Sequence, residues 1–178
     1  DSIYGQSLLS NFYEHPVRWA YTLETLTMMS RVQDHVKEQQ NKSVIKVLER
    51  SVYSGYYCFA YNSYAQGFLS PMEWNLYQEW FSMLVPRNCE PPKGFIYLRT
   101  NHEKAHERIK KRNRRSEKTV SLEYVKQVGE RHDAFLLKKE GVLPRLKKVP
   151  VLVLDVNEEF ETDYGQLSKH MDSIRSFL

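Results

Sequence analysis

Short, unbroken apolar runs separated by longer stretches of helical periodicity constrain the fold of this sequence more than any other feature. Three runs stand out, 44–48 (VIKVL), 95–98 (FIYL) and 151–154 (VLVL). Continuous apolar stretches of this length are the pattern of strands buried on both faces of a parallel sheet. Ahead of the first run, Trp19, Leu23, Leu26, Met29, Val32 and Val36 recur at three- and four-residue steps behind Pro16, which predicts a helix to about Gln39. Ser70, Pro71 and Glu73 form a capping box with Pro at the first helical position, opening a helix expected to stop near Pro86. A helix over 54–66 closed by Gly67, and three more with N-caps at Asn101, Ser121 and Thr162, complete the alternation. An α/β domain with a largely parallel sheet and flanking helices is the expectation.

At 178 residues and 41% hydrophobic content the chain is long enough for one compact domain over 1–178. With 7 Gly and 7 Pro and no internal repeat, low-complexity and disordered classes are excluded. No apolar run approaches the roughly 20 residues of a membrane-spanning helix, so the chain reads as soluble, without a membrane partner. Cys58 and Cys89 are too few for a disulfide framework and lack metal-ligand spacing. The first residue is Asp1 rather than Met, and the chain reads as a fragment or processed form. Three strands are few for so many helices, since sheets average about five or six. The loop G-x-x-x-x-G-K-[ST], with which many phosphate-binding α/β domains begin, is not found in the 178 residues. Further strands are therefore expected upstream.

Two stretches carry chemistry. Glu49 and Arg50 follow the 44–48 run directly, at the carboxyl end of a predicted strand, where open α/β sheets bind ligands. An Arg there can donate to a phosphate or a reacting hydroxyl, and a Glu beside it can hold a metal ion or its water; the alternative is a surface ion pair beside a helix cap. The second stretch holds most of the basicity. Residues 102–115 contain seven Lys or Arg against two Glu, a local +5 in a chain of net +4. Arg108 and Arg112 share a helix face, while Arg114 and Arg115 fall where helix gives way to loop, with Glu117 just beyond. Phosphoryl transfer asks the protein for positioned positive charge, which such a mobile basic loop can supply; the alternative is a solvated helix face. Phe12, Tyr13, Trp19, Tyr53, Tyr56, Tyr57 and Phe59 could sandwich a base, but aromatics at helical spacing are more often core. The six histidines show no metal motif.

Three separated motifs then carry a resemblance. Glu49-Arg50-Ser51-Val52-Tyr53-Ser54 with Tyr57 and Phe59, the R-x-x-x-R-x-R segment from Arg108 to Arg114 with Glu117 and Leu122-Glu123-Tyr124, and Asp155-Val156-Asn157-Glu158-Glu159-Phe160 together resemble the deoxycytidine, deoxyguanosine and thymidine-2 group of deoxynucleoside kinases, over nearly the whole chain. The resemblance implies a P-loop kinase fold whose first two strands and phosphate-binding loop are missing from this chain, the first of them lying between two strands that are present. It implies ATP or another nucleoside triphosphate as donor, Mg²⁺, a deoxynucleoside acceptor, a homodimer, and a cytoplasmic or mitochondrial location whose targeting region is not present.

Residue by residue, the resemblance makes Arg50 the contact to the nucleoside's 5′-hydroxyl end and Glu49 the acid near magnesium. Arg108, Arg112 and Arg114 become lid arginines on the donor phosphates, within a lid at about 108–118. Tyr13 and Glu117 would hold the sugar 3′-hydroxyl, Phe12 and Phe59 line the acceptor base pocket, and Glu159 and Phe160 cradle the donor base. The family's glutamine that reads the acceptor base corresponds to Glu24, and an ionised carboxylate there would be acceptor-only. Gly55 and Tyr56 replace the Asp-Arg or Ala-Arg pair. Three readings follow: an active kinase; a catalytically inactive relative that keeps a nucleoside pocket; and a nucleic-acid-binding domain using the 102–115 patch, which accounts for only one of the three motifs.

Overall fold

Two strands, Phe95–Arg99 (β1) and Val151–Asp155 (β2), pair in parallel, with Phe95 opposite Val151 and Arg99 opposite Asp155. The computed structural model describes residues 2–3, 6–40 and 44–178. Both predicted strands form, and each runs one residue beyond its apolar run. They are not buried on both faces as expected: Leu98 and Val153 are exposed. Among the described residues each is hydrogen-bonded as a parallel strand along one edge only, and apolar side chains reach burial when neighbouring strands and helices cover them.

The third predicted strand is a correction. Residues 44–48 form no strand, pair with no other strand among the described residues, and expose Val44, Ile45, Val47 and Leu48. A strand exists through its ladder partner, because its backbone N–H and C=O groups need one. The segment borders an open cleft whose far wall is β1.

Eight helices and one 3₁₀ turn, Arg115–Glu117, accompany the strands among the described residues. They are Leu8–Glu14 (α1), Pro16–Gln39 (α2), a rod of Val52–Ser54, Gly55–Ala60 and Tyr61–Ala65 (α3), Pro71–Asn88 (α4), His102–Arg112 (α5), Leu122–His132 continuing into Asp133–Leu137 (α6), Pro144–Lys147 (α7) and Tyr164–Phe177 (α8). The predicted span of α2 and the capping box of α4 are both present: Ser70 N and Oγ each lie 2.8 Å from Glu73 Oε2, and Glu73 N lies 3.3 Å from Ser70 Oγ. The rod α3 begins at Val52, with Ser51 and Ser54 forming a second capping box, and ends before Gly67, whose φ of +73° suits a residue without Cβ.

Besides α3, which starts two residues before the expected 54, two helix ends differ from expectation. α4 does not stop at Pro86 but runs through it to Asn88. Arg145 meets the carbonyls of Val85 and Pro86 at 3.2 and 3.1 Å, and Gln39 meets that of Asn88 at 2.6 Å, so the last turn is satisfied from outside. α8 is capped by Asp163 rather than Thr162, its Oδ1 accepting from the N–H groups of Gly165 and Gln166. Asn101 stands at the N-cap of α5 without a capping bond from its side chain.

The core lies between α2, α3, α4 and the 133–149 stretch. Aromatic rings build most of it. Tyr56 stacks on Phe81 with centroids 3.9 Å apart, Tyr57 on Phe135 at 4.8 Å, and Trp74 on Tyr64 at 5.1 Å. Most of the aromatic set read from the sequence is thus packing. Both α3 and α6 contain a π-helical stretch, Gly55–Ala60 and Asp133–Leu137, and these bring Tyr57 against Phe135. Such bulges shift side-chain directions within a helix and often mark functional sites. α5 approaches α6 closely at Gly129, where a Cβ would come within 2.6 Å of the His102 ring.

Candidate functional site

A cleft of about 1640 Å³ opens between the 44–48 segment and β1 and continues past the carboxyl ends of both strands. Tyr13, Glu49, Arg50, Phe59, Arg108, Arg112, Glu117, Glu159 and Phe160 all line it. Four separated stretches of sequence therefore meet on one cavity, at the end of the sheet where α/β folds take ligands.

Arg50 leaves the 44–48 segment with φ +58°, in the left-handed region that a residue with a Cβ seldom adopts, and its guanidinium lies over the Phe59 ring at 4.8 Å. Glu49 is anchored through its backbone, whose carbonyl accepts from Arg31 Nη1 at 2.6 Å, leaving the carboxylate exposed at the cleft. On the opposite side, α5 ends at Arg112 because Asn113 turns left-handed, φ +51°. Arg112 donates from Nη2 and Nε to Glu117 Oε2 at 2.7 and 3.1 Å. Arg114 reaches the other oxygen of Glu117 at 3.6 Å from the exposed side.

Tyr13 is half-buried beside this pair. Burial raises its hydroxyl pKa first and the Glu117 carboxylate raises it further, with Arg50 and Arg112 opposing. Tyr124 packs edge-on against it at 6.2 Å. Arg108 points elsewhere: its guanidinium meets the backbone carbonyls of Val156, Asn157 and Glu158 at 2.6, 3.4 and 3.1 Å. Glu159 accepts from the N–H groups of Phe160 and Glu161 at 3.0 and 2.9 Å, which, with Glu161 foremost, holds its carboxyl below the usual range.

Three residues expected at the site, Arg114, Phe12 and Glu24, do not line the cleft. Phe12 is core, edge-on to Phe68 at 6.3 Å. Glu24 is 6% exposed, and its carboxylate accepts from Ser63 Oγ at 3.1 Å. Burial pushes its pKa up to about 8, against the smaller pull of Ser63 and Arg50. That corrects the expectation of an ionised, acceptor-only group: near pH 7 the acid is mostly protonated and has one O–H donor beside its acceptor oxygens.

Several residues in and beside the cleft carried no signal readable in sequence. His132 lies edge-on to Phe59 at 5.6 Å and stacks on Tyr97 at 6.1 Å. Its Nδ1 is 2.8 Å from the carbonyl of Val128, and burial lowers its pKa, so the ring is neutral with Nδ1 as the donor. Asp133 accepts from Tyr97 at 2.9 Å and from Arg99 at 3.1 and 2.8 Å, tying α6 to the end of β1. Neighbours of this kind are joined only by folding, and lone His or Asp residues in sequence do not announce them.

Comparison with known proteins agrees with the motifs. A family model for deoxynucleoside kinase matches residues 2–178. Deoxycytidine kinase 2 of Gallus gallus is 38% identical over 183 residues, covering 98% of this chain and 69% of its own length. The mitochondrial deoxyguanosine kinase of Xenopus laevis is 36% identical, covering 97% and 68%. Deoxycytidine kinase of Mus musculus is 32% identical, covering 98% and 69%.

Proposed function

The chain belongs to the deoxynucleoside kinase family, and on that premise we propose that its cleft serves an enzyme transferring the γ-phosphoryl of ATP or another nucleoside triphosphate to the 5′-hydroxyl of a deoxynucleoside. The observation that carries this reading is the convergence of Arg50, Arg112, Glu117 and Tyr13 on one cavity from three distant stretches of sequence. Tyr13 and Glu117 form a hydroxyl and carboxylate pair suited to a sugar hydroxyl. Arg50 sits where an acceptor's 5′ end would meet a transferred phosphoryl. Arg112 and Arg114 already hold a carboxylate, and in a lid at about 108–118 they would exchange it for donor phosphates, charge for charge.

Glu49 is the residue that would hold Mg²⁺. Among the described residues no three His, Cys, Asp or Glu side chains gather to hold a metal. A single exposed carboxylate facing a nucleotide cleft is the donor set Mg²⁺ accepts, since it keeps several waters and takes the rest of its ligands from phosphates. When bound, the ion neutralises charge on the phosphoryl oxygens. The open cleft beside 44–48 supports further strands completing the sheet there, with a phosphate-binding loop at their carboxyl end.

A homodimer is part of the same reading, supported by an apolar stripe on α4. Met72, Leu76, Trp80 and Met83 recur along one side of that helix and are all exposed. No helix among the described residues is long and apolar enough to cross a membrane. Engagement of Arg112 and Arg114 with the Glu117 carboxylate supports a small anionic ligand over a nucleic-acid surface.

The test is ADP formation by the full natural protein with Mg²⁺, ATP and each of the four natural deoxynucleosides. Turnover of any one supports the kinase. Saturable binding without turnover would instead favour the inactive relative, for which the buried Glu24 and the Gly55-Tyr56 departure speak; neither binding nor turnover would overturn both.

A further inference from the structure

We propose that Arg108 is a positioning residue: it fixes the loop between β2 and α8, and thereby Glu159 and Phe160, rather than acting chiefly as a charge on phosphate. This rests on reading the cleft as a nucleotide site. The last rung of the β1–β2 ladder is Val156 N to Arg99 O at 2.9 Å, after which the chain leaves the sheet and its carbonyls need partners from elsewhere. Three consecutive carbonyls, those of Val156, Asn157 and Glu158, converge on the Arg108 guanidinium.

The loop is pinned from the other side by Asn157. Its Oδ1 accepts from Asn101 N at 2.7 Å and Thr100 Oγ1 at 3.0 Å, while its N and Nδ2 donate to Asp155 Oδ1 at 2.9 and 2.8 Å. Beyond the pin, the Glu159 carboxylate accepts from Phe160 N and Glu161 N, Phe160 lies edge-on to His170 at 5.8 Å, and both residues face the cleft. Lys111 of α5 also reaches Glu159 Oε2 at 3.9 Å, but the carbonyls of 156–158 meet Arg108, and Asn157 is held by Asp155.

Chemistry separates Arg108 from its neighbours. Arg112 and Arg114 meet a carboxylate, which an incoming phosphate can replace. The partners of Arg108 are neutral carbonyls on three successive residues, which suit a planar fork of N–H donors. A lysine ammonium is a compact point charge and cannot span them, although it can serve as a phosphate contact.

The experiment uses the full natural protein and its Arg108→Ala, Arg108→Lys and Arg112→Lys variants. Hydrogen exchange is followed in the peptide over 156–161, together with the KM values of donor and acceptor. Both Arg108 variants are expected to speed exchange there about tenfold, as loss of a charge-assisted bond would, and to raise donor KM by a similar factor with acceptor KM within about twofold. Exchange in β1 and β2 should be unchanged, and Arg112→Lys should leave the loop's exchange as it is. Unchanged exchange in Arg108→Ala, or recovery of both exchange and donor KM in Arg108→Lys, overturns the proposal. Exchange is readable without turnover, so an inactive protein would sink the kinase reading while this result still stood.

Discussion

The Arg50 guanidinium carbon stands 4.8 Å from the centre of the Phe59 ring, so the cation at the mouth of the cleft rests on an aromatic face delivered by the π-helical stretch of α3. Arg50 also holds a left-handed backbone, which costs a residue with a Cβ roughly 1–2 kcal/mol. Phe59→Leu keeps apolar volume and removes the ring. The expected result is a drop in kcat/KM of about 2- to 30-fold, the range of a cation–π contact worth roughly 0.5–2 kcal/mol. Combining it with Arg50→Ala should cost less than the sum of the two single changes. Full additivity would show that the ring does not act through Arg50.

Glu24 should leave a signature in the pH dependence of stability. Its folded pKa is raised to about 8 while the unfolded chain titrates near 4.5. The folded state therefore keeps a proton the unfolded state has lost, and stability falls as pH rises from about 4.5 to about 8. The shift sets an upper limit of roughly 4–5 kcal/mol on that loss. Glu24→Gln retains an acceptor for Ser63 and cannot ionise. Its advantage over the natural protein should grow between pH 5 and pH 8 in urea unfolding, and an advantage independent of pH would place the carboxyl in a less buried setting.

Phe81 is the ring on which Tyr56 stacks, and it is buried. Phe81→Ala is expected to cost about 3–5 kcal/mol, seen as a lower urea midpoint at unchanged slope. Met72→Ala, on the exposed side of the same helix, should stay within about 0.5 kcal/mol in the isolated subunit. Similar losses at both positions would mean that the rings do not form the core.

The α4 stripe makes a separate claim about assembly. Trp80→Glu places a charge in its middle, and sedimentation is expected to show a dimer for the natural protein and a monomer for the variant. A natural protein that sediments as a monomer, or a variant that remains a dimer, would remove the stripe from the interface.

Much of the secondary structure was legible because its causes are local. The capping box at Ser70 joins residues three apart, the period of α2 is written along one stretch, and the two formed strands are visible as apolar runs. The motifs that carry the family resemblance were legible for the same reason. What the sequence could not decide depends on partners far along the chain. Residues 44–48 are as apolar as β1 yet form no strand, because a strand needs a neighbour and not only its own residues. Glu24 reads as an ionised acid until folding buries it and raises its pKa. Arg108 reads as one basic residue in a run of them, and only the tertiary structure decides that its partners are three carbonyls some 48 to 50 positions away. The number and direction of a guanidinium's donors are fixed by its chemistry, but which acceptors meet them is fixed by how the chain packs.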